Sequence, residues 1–145
     1  MAPEVRALWA NREDVGAWAR VAMMLGDAHA PALCYAVARH ALGLCEAGDP
    51  LRGRLSGHAA LAALDLGFAT HEDGQTQFDP EAERQFLDVT FAEVGDLEQS
   101  ALLSLCVLAD KLGLIVGPEA PTLTDYRDPS RWTLAPVTSR DTLVD

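Results

Sequence analysis

The chain has 145 residues, of which 49% are hydrophobic and 23% charged, with 22 acidic side chains against 11 basic ones for a formal net charge of −11. A chain of this length and apolar content can bury a core without metal or disulfide support, which excludes wholesale disorder. The charge argues against nucleic-acid and anionic-membrane binding, because both need a Lys/Arg-rich surface that displaces counterions.

The N-terminal run MAPEVRALWANRED lacks a basic segment followed by an apolar one, so it does not read as a secretory signal. A short helix is predicted at 3–10 and a longer one at 12–25, where Trp18 shares a stripe with Val15, Ala22 and Leu25. Trp9 and Trp18 are therefore expected in the core. The pairs Ala30-Pro31, Asp49-Pro50 and Asp79-Pro80 each place proline where a helix can begin, since its missing N–H would have been unpaired there. They open predicted helices at 31–47, 50–68 and 80–94, and a further helix is predicted at 96–115. Gly26, Gly48, Gly95 and Gly117 follow apolar-periodic runs, and each is expected to be a left-handed stop.

The polar stretch Ala69 to Asp79 reads as an exposed crossover loop. The helix at 96–115 is apolar nearly all round, with Leu97, Ala101, Leu105, Leu108 and Leu112 in one stripe and Leu103 and Val107 opposite. Such a helix is either the centre of a bundle or the seam of a dimer. From Pro118 the periodicity disappears, and four prolines with Tyr126 and Trp132 imply an arm that packs on its own bundle or on a neighbouring subunit. The expected fold is all-α: a bundle of five to six helices over 1–117 with an extended, Pro-containing C-terminal arm over 118–145, cytoplasmic, bacterial by its Ala/Arg/Gly-rich and Lys-poor composition, and homodimeric.

Cys34, Cys45 and Cys106 are too few for a disulfide framework and form no C-x-x-C pair, which fits a reducing compartment. Cys34 and Cys45 share a flank with Ala38 and Ala41, as small residues at a close helix contact would, and Cys106 lies in the most apolar helix. Buried thiols are poor nucleophiles. No stretch reaches the ~20 apolar residues needed to span a bilayer. No G-x-G-x-x-G, Walker loop or G-x-S-x-G elbow is present, so neither a nucleotide cofactor nor serine-hydrolase chemistry is expected.

The informative residues are polar ones on apolar stripes. At 100° per residue, His40 falls among Leu33, Val37 and Leu44. The next helix places His58 and Asp65 among Leu51, Leu55, Ala62 and Leu66, with Arg54 beside them. Asp65, in HAALAALDLGF, has no solvated face to account for it, and Glu83 and Thr90 share a stripe with Leu87 and Val94. A buried carboxylate needs a partner or a wet cavity. One histidine on a core face is more often structural than functional, but the coincidence of His40, His58 and Asp65 predicts a polar pocket within the bundle.

That set fits a cofactor-free acid/base enzyme of isomerase, lyase, hydrolase or cyclase type. His58 or His40 would be the acid/base, Asp65 its orienter, and Arg54, Glu83 and Thr90 the substrate contacts. A metal site is not expected, because no H-E-x-x-H or E-x-x-H spacing is present and His71-Glu72 lacks a second histidine. Two other classes compete with the enzyme: a protein that only sequesters a small molecule, and an acidic interaction module such as an immunity, anti-regulator or adaptor protein. The last draws on the segment Glu72 to Glu98, where nine acids face Arg84 alone and could attract a basic protein or a cationic ligand.

Overall fold

The computed structural model describes residues 2–91 and 96–136. The expected end of a helix at Val94 and the stop at Gly95 lie outside the described residues, as does the arm beyond 136.

Seven helices and two small antiparallel sheets are present among the described residues: α1 (Ala2–Ala10), α2 (Val15–Asp27), α3 (Pro31–Leu44), α4 (Leu51–Leu66), the hairpin β1 (Ala69–Glu72) and β2 (Gln75–Phe78), α5 (Pro80–Thr90), α6 (Leu97–Lys111), β3 (Ile115–Val116), α7 (Leu123–Tyr126), a 3-10 turn (Pro129–Arg131) and β4 (Thr133–Leu134). The molecule is thus mainly helical, with seven helices among the described residues against the five to six expected, and two small sheets that the periodicity did not show.

Aspartates start most of the long helices. Asp14, Asp79 and Asp96 each accept hydrogen bonds from the first free backbone N–H groups of α2, α5 and α6, which answers the unpaired donors that every helix start leaves. Asp49 does the same for Leu51 N at 2.9 Å. Ala30 offers α3 no such cap.

The helix ends differ from expectation. Gly26 lies inside α2, and neither Gly48 nor Gly117 is left-handed; the positive-φ residues after helices are His29 (φ 56°), Gly67 (φ 85°) and Gly113 (φ 72°). Each closes the same double bond. After α2, His29 N donates to Gly26 O and Ala30 N to Leu25 O; after α4, Gly67 N donates to Leu64 O and Phe68 N to Ala63 O; after α6, Gly113 N donates to Asp110 O and Leu114 N to Ala109 O. This pairing of 5→2 and 6→1 bonds is the Schellman motif, for which glycine is the unstrained residue and histidine is not.

The expected loop at 69–79 is a hairpin, with Ala69 opposite Phe78 and Glu72 opposite Gln75. Asp73 (φ 52°) and Gly74 (φ 76°) form its turn, because two successive left-handed residues match the twist of a two-residue hairpin. His71 Nδ1 lies 3.1 Å from Thr76 Oγ1 across the strands.

The centre of the molecule is α3. Cys34, Tyr35, Ala36, Val37, Ala38 and Ala41 are all at most 1% exposed, and the helix packs against α2, α4 and α6. Helix α6 is covered on both sides as well. Leu105 and Ala109 join the main core, while Leu103 packs with Ala36, Leu87 and Phe91. Of the apolar back face expected at Leu103 and Val107, Leu103 is covered by α3, α5 and Phe91, while Val107 is half-buried. Leu112 stands outside α6 as its cap and is exposed.

Beyond Gly117 the chain turns back onto the bundle. Trp132 is buried, stacks on Tyr126 with ring centroids 5.2 Å apart, and donates its indole N–H to Asp125 O at 2.9 Å. Strand β4 pairs with β3, Ala135 N donates to Leu114 O, and Arg6 donates to Ala135 O. No helix among the described residues is long and apolar enough to cross a membrane.

Candidate functional site

Helices α3 and α4 run antiparallel, and the turn between α2 and α3 overhangs the C-terminal half of α4. There the chain leaves a cleft of about 210 Å³ lined by Gly26, His29, Ala30, Pro31, Cys34, His58, Leu61, Ala62 and Asp65. Its walls are apolar apart from two imidazoles, a carboxylate and a thiol.

His58 and Asp65 reach this cleft from α4, two turns apart. His58 is half-buried, and its ring lies directly on the backbone of α2: a Cβ built at Gly26 would come within 2.4 Å of His58 Nδ1. Glycine inside a helix costs about 1 kcal/mol relative to alanine, and here it leaves the space that the imidazole occupies. Asp65 is exposed at the rim and does not sit in the core. The buried stripe of α4 is Leu55, Ala59, Ala62 and Ala63, which lies to one side of the stripe expected from the leucines. Alanines allow α3 to come close, so the helix turns its alanine face inward and leaves Asp65 at the solvent edge.

His29 is the ionisable cleft residue that sequence reasoning missed. Its signal was positional, since it follows the end of α2 and stands two residues before Pro31. There it takes the left-handed conformation (φ 56°), which costs a β-carbon-bearing residue of order 1 kcal/mol. The residue is exposed and lines the cleft. Neither His29, His58 nor Asp65 makes a side-chain hydrogen bond or ion pair among the described residues.

Cys34 forms part of the floor. It is 1% exposed, and its thiol lies 3.5 Å from Ala22 O. Burial, reinforced by the Asp27 carboxylate, pushes its pKa up to about 11, so the thiol stays protonated and contributes shape instead of nucleophilicity. Cys106 is likewise buried and pushed up to about 12, mainly by burial.

The other expected site residues are not brought to this cleft. His40 packs edge-on against Trp18 with centroids 4.7 Å apart; burial lowers its pKa, while the carboxylates of Glu98 and Asp96 oppose the shift. Arg54 and Thr90 are exposed and do not line it. Glu83 belongs to a different cluster, where it accepts a short hydrogen bond from Tyr35 OH and lies 3.9 Å from Arg39 Nη2. Burial first, then that bond, raises the Tyr35 pKa. Around it Tyr35, Phe68, Phe86 and Phe91 form a chain of ring contacts from 4.6 to 6.2 Å. The expected pocket is therefore split: His58 and Asp65 share a cleft with His29, while His40 and Glu83 serve packing and hydrogen bonding elsewhere.

Among the described residues no group of three or more His, Cys, Asp or Glu side chains is placed to hold a metal ion. Comparison with protein-family models, curated proteins and solved structures finds no match for the chain.

Proposed function

We propose that this helical protein binds a small molecule in the cleft between the α2–α3 turn and α4, with His29, His58 and Asp65 as its polar contacts. The observation that carries the reading is that two histidines and an aspartate, none with a side-chain partner among the described residues, line one apolar-walled recess. The strained backbone at His29 and the glycine that accommodates His58 are local costs that packing alone does not require. At about 210 Å³ the recess suits a ligand smaller than those of typical sites, which start near ~300 Å³.

The same groups supply what cofactor-free proton transfer needs: an imidazole that can take or return a proton and a carboxylate on the same helix to balance the charge. In this reading His58 is the acid/base, Asp65 assists it, and His29 takes the place first given to His40. Ligand-observed NMR with a library of small amines, acids and heterocycles tests the binding. The expected result is a hit that shifts the ring resonances of both His29 and His58 saturably and loses affinity at least about tenfold in His58→Ala or Asp65→Ala. A library without such a hit, or variants that bind unchanged, would remove the cleft from consideration.

The interaction-module reading has one supporting observation, the exposure of Glu72, Asp73, Glu81 and Glu98. Glu72→Lys with Glu81→Lys should then weaken capture of a basic partner while the melting temperature holds.

A further inference from the structure

The opposite end of the α3–α4 pair carries a second recess of about 320 Å³, lined by Arg39, Leu42, Gly43, Arg52, Ser56 and Leu97. Its composition runs against that of the chain. In a protein with twice as many acids as bases, this groove gathers two guanidiniums and no carboxylate among its lining residues.

Each arginine keeps at least one N–H group without a partner among the described residues. Arg39 Nε is buried and has no hydrogen-bond partner, and Arg39 Nη2 stands 3.9 Å from Glu83 Oε2, beyond hydrogen-bond reach. Glu83 accepts from Tyr35 and pairs with Arg39, and Tyr35 also interacts with Arg39, so the two groups hold the guanidinium in place while Nε keeps no partner. The guanidinium carbon lies over the Phe78 ring, 5.6 Å from its centroid, which fixes the side chain further. Arg52 directs Nη1 at the carbonyls of Leu42 (2.9 Å) and Cys45 (3.3 Å). That anchors its fork at the end of α3 and leaves Nη2 and Nε without a hydrogen bond among the described residues. Ser56 lies one turn beyond Arg52 on α4, exposed, its hydroxyl without a partner among the described residues. Gly43 faces open space, since a Cβ there would meet nothing within 4 Å.

We infer that this groove is a binding site for a small-molecule oxyanion, a carboxylate or phosphoryl group, held by Arg39 and Arg52 with Ser56 as an added donor. Planar guanidinium forks match the paired oxygens of both groups, and a positioned fork loses less freedom on binding than a mobile one. The site is separate from the cleft proposed above, and either can fail without the other.

Calorimetric titration of the full chain with inorganic phosphate and with acetate, against sodium chloride at equal ionic strength, tests it. Saturable binding of either ion is expected, and the preferred ion identifies the headgroup. Ser56→Asp, at an exposed position with no contact to lose, should weaken that binding at least about tenfold by placing a like charge in the groove. Its far-UV spectrum and melting temperature should match the parent's. Arg52→Gln should weaken binding as well. Heats indistinguishable from those with chloride, or undiminished binding in Ser56→Asp, would overturn the assignment.

Discussion

Two glycines show how one steric measurement leads to opposite outcomes. A Cβ at Gly26 would lie 2.4 Å from His58 Nδ1, and one at Gly117 would lie 2.5 Å from Trp132 Cε3. The difference is in the neighbour. His58 is half-buried, makes no side-chain bond among the described residues, and borders the open cleft, whereas Trp132 is pinned by its stack on Tyr126 and its bond to Asp125 O. Gly26→Ala is therefore expected to leave stability within about 1 kcal/mol, because helix propensity gained offsets the displaced ring. If the cleft is the functional site, the change should also abolish ligand binding. Gly117→Ala is expected to cost about 1–3 kcal/mol, the range for overpacking against a side chain that cannot move. Urea denaturation of both variants checks the contrast, with the His58 ring resonance as the local reporter. His29 yields a companion prediction: His29→Gly should stabilise the fold by up to about 1 kcal/mol by relieving the left-handed strain. If the cleft is the functional site, the same change reduces ligand affinity, so stability and binding move in opposite directions.

At the scale of elements, the hairpin is the segment most separable from the rest. Apart from half-buried Ala69 and Thr76 its residues are exposed, and its turn depends on Gly74 at φ 76°. Gly74→Val should open it locally at a cost of about 1–3 kcal/mol. Hydrogen exchange would then quicken at residues 69–78 while the amides of α3 keep their protection. The Asp-Gly pair was a legible sign of this hairpin, but the polar, barely alternating strands around it read as loop. Helix starts were legible because Asp and Pro act through local geometry, as at Asp79-Pro80. Helix stops were less so, because a left-handed position is set by where the backbone must turn, and His29 can fill it at a cost. The candidate cleft was half legible for a related reason. His58 and Asp65 share a helix face, so spacing linked them, whereas His29 comes to them only through the α2–α3 turn. Asp65 was misplaced in depth because alanines carry little weight in a hydrophobic stripe, although they set which face of α4 meets α3.

Across the whole molecule, acid should weaken the fold in two separate stages. Burial lowers the pKa of His40 from its ordinary 6.5, so below that pH the unfolded chain binds a proton that the folded one resists. Stability is then lost as pH falls through this first window. The second stage belongs to the arm. The backbone N–H and hydroxyl of Thr122, with Arg131 Nη1 at 2.7 Å, hold Asp125 below its ordinary 3.8. Its contribution is present above that value and lost as pH falls beneath it. Urea midpoints followed from pH 7 to pH 3 should show the first loss vanish in His40→Gln and the second shrink in Asp125→Asn. A parent profile that is flat down to pH 5 would contradict the first assignment. The alanine seam between α3 and α4 has a different consequence, for how this chain can drift in sequence. Ala38, Ala41, Ala59, Ala62 and Ala63 are at most 4% exposed, and replacing alanine with any side chain but glycine adds volume. Variation therefore has almost nowhere to go along the seam, yet it remains open at the rims, where Leu61, Arg52 and Ser56 face solvent. The two recesses at the ends of α3 can be remodelled over a rod that has to stay as it is.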